Sequence, residues 1–123
     1  MPTSLAIEVD GQAVGSVGFV RGTDVERFSA EVGYWLGEDY WGRGIVTEAL
    51  LLLTRYLFDE VGLLRLYALP FADNTASIRV LEKAGYAQDA VLRSSCVKYG
   101  VPRDQFLYSR VSTSWPGIPA SRS

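Results

Sequence analysis

The sequence predicts an α+β fold built on one mixed sheet: an antiparallel N-terminal meander, a βαβ crossover, a second helix and two C-terminal strands. Three observations lead there. Apolar residues alternate with period two as far as Leu36, the spacing turns helical from Ile45, and glycine or proline punctuates each later change of period. A length of 123 residues suits one domain, expected over residues 1–111, with residues 112–123 as a flexible tail.

Leu5, Ile7 and Val9 alternate up to Asp10-Gly11, and Val14, Val17 and Phe19 resume beyond it, the pattern of a hairpin closed by a type I′ turn. Val32, Tyr34, Trp35 and Leu36 mark a third strand over residues 28–36, after a polar loop at 21–27. Gly37, Gly42 and Gly44 make the next stretch a loop. Ile45, Ala49, Leu50, Leu53, Tyr56 and Leu57 then recur at helical spacing, with Thr47, Glu48, Thr54, Arg55 and Asp59 between them. Gly62 stops this helix after roughly 17 residues, about 25 Å. The apolar run 63–69, closed by Pro70, is the strand beyond the crossover, parallel to the third strand and joined to it in the right-handed sense. A second helix opens at Asp73-Asn74, carries Ile78, Leu81 and Ala84 on one side and ends at Gly85. Residues 86–99 read as a long strand, 100–104 as its turn and 105–111 as the last strand. The Ser-, Pro- and Gly-rich segment beyond has no period and is expected to be loosely held.

Composition removes whole classes of chemistry. Twelve basic residues against fourteen acidic ones leave a net charge of -2, which offers no field to a nucleic-acid backbone, so no nucleic-acid partner is expected. Histidine is absent, and with it every Ser-His-Asp triad, Cys-His pair, HExxH zinc site and imidazole proton shuttle. The single cysteine, Cys96, excludes an internal disulfide and a cysteine-cluster metal site; lying in an alternating strand, it reads as a small core residue. No metal is expected. No stretch reaches the roughly 18 apolar residues of a membrane span, and the N-terminus lacks the basic and apolar regions of a secretory leader. The expected location is the cytoplasm, without a membrane partner.

Two segments are candidates for a functional site. In EDYWGRGIVTEAL, Gly42 and Gly44 stand between a strand and the long helix. Without Cβ atoms they let an anion approach the backbone, where the unpaired amides of the first turn and a partial charge of about +0.5 point outward. Arg43 adds a full charge and Thr47 a hydroxyl. The spelling fits neither a P-loop, which needs GxxxxGK, nor the dinucleotide fingerprint, which needs a glycine where Thr47 stands. The plainer reading is a flexible helix start. In NTASIRVLEKAGY, the plainer reading has Asn74 or Asp73 capping the helix, Ser77 satisfied within the first turn and Lys83 solvated.

Taken together, GYWLGEDYWGRGIVTEAL, NTASIRVLEKAGY and the closing KYGVPRDQFLYSR closely resemble the GNAT superfamily of N-acetyltransferases, in particular its RimJ/RimL-like branch, which includes enzymes that acetylate ribosomal-protein N-termini. The likeness runs from about Leu5 to Tyr108. It implies an acetyl-CoA-dependent N-acetyltransferase that moves an acetyl group to a primary amine by direct attack on the thioester, with no covalent acyl-enzyme. The alternative is a noncatalytic acyl-CoA-binding or regulatory module that keeps the cradle without turnover. The resemblance further implies that Gly42, Arg43, Gly44, Ile45, Val46 and Thr47 surround the pyrophosphate of acetyl-CoA. It implies that the strand ending near Leu36 splays from the one at 66–69, so that pantetheine inserts between them and bonds to exposed backbone. Asn74 would contact the pantetheine arm or organise the acetyl end, and Ser77 would protonate the leaving thiolate, with Tyr86 and Tyr99 as substitutes. Asp39 stands where the superfamily often has Gln or Arg, which weakens a side-chain contact and leaves the amide cradle intact.

For the base, both resemblance and chemistry lead to Glu31. Attack requires a free amine lone pair, no histidine can collect the proton, and an α-amino group of pKa about 7.7–8.0 needs less help than a lysine of about 10.4. The plainer reading of Glu31 is an exposed strand glutamate balancing Arg27 or another arginine. Tyr34, Trp35, Tyr40 and Trp41 either line an acceptor pocket or pack beside the sheet. Superfamily members usually carry a strand and one or two helices ahead of the first hairpin, which wall the acceptor groove, whereas this sequence starts almost at the hairpin. An open sheet edge and face would follow, and a homodimer is expected to cover them unless the sequence begins short of its natural start. The acceptor stays open among protein N-termini, polyamines, amino acids and aminoglycosides.

Overall fold

The computed structural model describes residues 2–118. Its strands are β1 (Pro2–Val9), β2 (Gln12–Arg21), β3 (Ser29–Leu36), β4 (Arg65–Ala68), β5 (Ala87–Lys98) and β6 (Val101–Val111); α1 (Ile45–Asp59) links β3 to β4, and α2 (Thr75–Lys83) links β4 to β5. They form a single sheet in the order β1-β2-β3-β4-β6-β5, in which β3 and β4 are the parallel pair and all other neighbours are antiparallel. This is the α+β arrangement that the change of period predicts. The first hairpin turns on Asp10 and Gly11, both at positive φ (50° and 80°), as a type I′ turn requires.

Both helices lie on one face of the sheet. Ala30 pairs with Leu66, and Ala68 with Tyr108; all four are buried and point the same way as Val32. α1 packs over β2 and β3 on this face, while α2 is fastened to it by the Tyr108 hydroxyl donating to Glu82 (3.1 Å) and Arg110 donating to the Ala84 carbonyl (2.7 Å). Leu50, Leu57, Leu63, Leu66 and Leu81 fill the space between. The opposite face, with Glu31, Trp35, Tyr67 and Ser109, carries no helix among the described residues.

α1 is 15 residues long, and its buried stripe is Val46, Leu50, Leu53, Thr54 and Leu57. This corrects the expected stripe at three places: Val46 and Thr54 face the core, and Tyr56 is half exposed. Thr54 lies four residues after Leu50 and three before Leu57, so helical geometry carries it inward whatever its polarity. Its hydroxyl meets that of Tyr86 at 2.8 Å, so neither buried hydroxyl is left unpaired.

The C-terminal hairpin also differs from expectation. Its turn is not 100–104 but Tyr99-Gly100 alone, both at positive φ (52° and 75°), and β6 starts at Val101. Pro102 reads as a strand breaker, yet here it sits opposite Val97, one step from the bonded closing pair Lys98–Val101, so its nitrogen points away from β5. β4 reaches only as far as Tyr108, so no ladder bond is lost. Cys96 is half buried on the outermost strand rather than in the core. Beyond β6 the segment expected to hang loosely is tied at two points. The Ser112 amide donates to the Leu64 carbonyl (2.8 Å), and the Trp115 indole donates to the Gly62 carbonyl (2.9 Å) with its ring edge on Phe28. The rest of the tail, residues 119–123, lies outside the described residues.

Candidate active site

The parallel ladder between β3 and β4 is short: Ser29 with Arg65, Ala30 with Leu66 and Glu31 with Tyr67. β3 runs on to Leu36, while β4 stops at Ala68. Bonds at the two ends of the β2–β3 ladder, Gly22 amide to Ser29 carbonyl (2.9 Å) and Gly37 amide to Val14 carbonyl (2.8 Å), fix which register pairs are hydrogen bonded. Odd-numbered residues of β3 therefore bond to β2. Tyr34 and Leu36 aim their amides and carbonyls the other way, into the gap where β4 has ended.

The gap opens into a cleft of about 570 Å³ between the end of β3, the start of α1 and α2. Leu36, Gly42, Gly44, Ile45, Val46 and Thr47 line one side, and Asn74 and Ser77 the other. Gly44 is the N-cap of α1 at φ 73° and offers no side-chain cap, and the first intrahelical bond is from Glu48 to the Gly44 carbonyl (3.0 Å). The amides of Ile45, Val46 and Thr47 are thus left for an outside acceptor. Two cations, Arg79 and Lys83, stand one helical turn apart on the cleft wall, and no carboxylate joins them among the lining residues. In a chain of net charge -2 this is a local reversal of sign. Sequence reasoning passed over Arg79 and left Lys83 solvated; the readable signal was their spacing on the helix that carries Ser77.

Arg43 does not line the cleft: its guanidinium lies over the Tyr40 ring, 5.2 Å from the centroid. The Leu36 carbonyl accepts from the Trp41 indole at 2.8 Å, which leaves its amide as the free group. Asn74 caps α2 by accepting from the Ser77 amide (3.1 Å). Asp73 instead pairs with Arg103, whose hydrogen bond holds its carboxyl below the usual range. The corner before α2 is strapped to β6 by the Ala72 amide on the Asp104 carbonyl, the Phe106 amide on the Pro70 carbonyl and Gln105 on the Leu69 carbonyl, each 2.9 Å.

Ser77 is not satisfied within its own turn. Its hydroxyl is 2.7 Å from that of Tyr34, which also donates to the Ser77 carbonyl at 3.0 Å. Burial raises the Tyr34 phenol above its ordinary pKa, and the Ser77 bond opposes that rise. The two tyrosines named as substitutes for Ser77 are elsewhere. Tyr86 is buried against Thr54, its pKa pushed up to about 12 by burial, and Tyr99 stands 94% exposed at a hairpin tip.

Glu31 is on the helix-free face, outside the cleft lining, beside Tyr67. Arg27 is not its partner; it donates to the Asp24 carbonyl (2.8 Å) and stacks on Phe28. Burial, then the charges of Glu31 and Glu26, raise the Tyr67 pKa, which marks this patch as acidic.

The acetyltransferase (GNAT) domain family matches residues 2–87. This chain belongs to the GNAT acetyltransferase family. Within that family it is RimJ/RimL-like. It is 35% identical over 100 residues, 81% of its length, to the uncharacterised N-acetyltransferase YoaA of Bacillus subtilis, and 28% identical over 106 residues, 85% of its length, to the ribosomal-protein-serine acetyltransferase of Escherichia coli. Among solved structures, RimJ of Mycobacterium smegmatis in complex with CoA-disulfide superposes with a TM-score of 0.85 at 30% identity over 94% of this chain. The GNAT chain spans a little over half of each relative: 56%, 58% and 55% respectively.

Proposed function

We propose that this chain binds acetyl-CoA and transfers its acetyl group to a primary amine. The cleft carries the reading: unpaired amides at the start of α1, left-handed glycines at 42 and 44, and the cations Arg79 and Lys83 without an opposing carboxylate suit a pyrophosphate. The unpaired amide and carbonyl of Tyr34 and the unpaired amide of Leu36 suit an amide-bearing arm lying alongside β3 as an extra strand. That a RimJ relative was solved with CoA-disulfide supports the choice of coenzyme. In this reading Gly42, Gly44, Ile45, Val46 and Thr47 act through their amides, Arg43 by swinging off Tyr40, Leu36 through its amide and Asn74 through its free Nδ2.

Glu31 and Ser77 act from opposite faces of β3. The acceptor amine approaches from the helix-free face, where Glu31 takes its proton directly or through one water. The lone pair attacks the thioester carbonyl carbon, the C–S bond breaks, and Ser77 on the helix-bearing side donates to the departing thiolate. The acetyl group passes straight to nitrogen. Residues 1–111 form the catalytic domain, the enzyme works in the cytoplasm, and a second copy covers the open sheet edge and face.

The test is thiol release from acetyl-CoA in the presence of a seryl-initiated peptide, spermidine, free methionine or kanamycin, with calorimetry to measure acetyl-CoA binding. Release that depends on one of these acceptors is expected. Glu31→Gln should lower turnover roughly 100-fold at neutral pH with acetyl-CoA affinity unchanged, and the loss should shrink as pH rises and the amine deprotonates unaided. Tight binding without release would establish the noncatalytic module instead.

A further inference from the structure

The bond between Tyr34 and Ser77 joins a strand residue to a helix residue 43 positions away, at the wall of the cleft. Each hydroxyl has one proton to give. If Tyr34 donates to the Ser77 carbonyl, as the 3.0 Å contact allows, Ser77 must donate to Tyr34, and its proton is turned away from the cleft. If Tyr34 rotates its proton onto Ser77 Oγ, the Ser77 proton is released toward the cleft. The two arrangements differ by a pair of hydroxyl rotations with no heavy-atom movement. We infer that Tyr34 is a positioning residue that sets the direction of the Ser77 proton and, in the second arrangement, polarises the Ser77 hydroxyl as the thiolate departs. This rests on the acetyl-transfer reading above.

Proton accounting limits the role. A thiol has a pKa of about 8.5 and an ordinary tyrosine about 10, and burial raises Tyr34 further, so a leaving thiolate does not strip Tyr34 of its proton. A serine hydroxyl is a weaker acid still, so Ser77 also keeps its proton and only donates a hydrogen bond to the sulfur. The S–H bond forms with a solvent proton, balanced by the amine proton that Glu31 passes to solvent, and Tyr34 remains a phenol throughout. Its contribution is a hydrogen bond made to Ser77 as charge develops, which appears in kcat and not in acetyl-CoA binding.

Tyr34→Phe keeps the ring and removes the hydroxyl. With the best acceptor from the four-amine panel, the expected result is a kcat lowered roughly five- to tenfold, with the KM for acetyl-CoA within about twofold and the variant fully folded at the assay temperature by circular dichroism. Ser77→Ala should lower kcat by a similar factor, and Tyr34→Phe should cost nothing further in the Ser77→Ala background, because the hydroxyl it acts through is gone. Wild-type kcat in Tyr34→Phe, or losses that multiply in the double variant, would overturn the inference while leaving acetyl transfer intact. A wild-type chain that binds acetyl-CoA yet acetylates no amine would overturn both, so the two failures are distinguishable.

Discussion

Gly44 shows how much one residue can decide. It sits at φ 73° with nothing within 4 Å of where a Cβ would stand, so a larger side chain meets no protein atom. The cost to folding is then confined to left-handed backbone, about 1–2 kcal/mol, whereas the cost to binding is a hydrocarbon group inside the amide cradle. Gly44→Val is expected to stay folded and to weaken acetyl-CoA binding at least tenfold by calorimetry; an unchanged affinity would remove the cradle from the site. This residue was legible in the sequence because its requirement is local: a glycine before a helix needs no knowledge of the rest of the chain. Tyr34 was not. Its partner lies on another element, and only the packing of α2 over the end of β3 brings them together. Glu31 falls between, since alternation along β3 gives the face it occupies but not what stands opposite.

At the scale of elements, the contact between α1 and the start of β5 is tested by Thr54 and Tyr86. Thr54→Val preserves volume but strands the buried phenol without a partner, which should cost about 1–3 kcal/mol by urea unfolding, and Tyr86→Phe in the same background should recover part of it. The same pair gives a pH dependence. The Tyr86 pKa is near 12 folded against 10 unfolded, so the unfolded chain ionises first. The stability associated with the neutral phenol is complete below about pH 10 and drains away as pH climbs toward 12. Tyr86→Phe should flatten that part of the stability profile, and an identical profile would show that the phenol is not buried in the folded state. Element types were readable from periodicity, because a helix and a strand bury different spacings. The last turn was misread, because five residues containing a glycine and a proline look like a loop until β6 is known to have a free side at Pro102.

For the molecule as a whole, what is uncovered matters as much as the core. Among the described residues β1 is an unpaired edge, and Leu5, Leu52 (57% exposed) and Tyr56 rim a groove of about 500 Å³ between it and α1. Trp35, 62% exposed, adds apolar surface on the helix-free face. Glu8 is the one ionisable side chain on β1, so little opposes a second β1 pairing with the first across a two-fold axis. Light scattering after size exclusion should return twice 13.6 kDa. A stable monomer with full activity would contradict the dimer.

The three-residue seam between β3 and β4 has a consequence for hydrogen isotope exchange. Past Glu31 the amides of Gly33 and Trp35 are tied to β2, while those of Tyr34 and Leu36 face the gap. Neighbouring residues on one strand should therefore exchange at alternating rates, slow at 33 and 35 and fast at 34 and 36. An arm that lies along β3 as an added strand would slow the fast pair and leave the slow pair as they were. Residue-resolved exchange with and without acetyl-CoA would thus register the ligand as a change of rhythm along four residues, where a ligand held only by its phosphates would leave the alternation untouched.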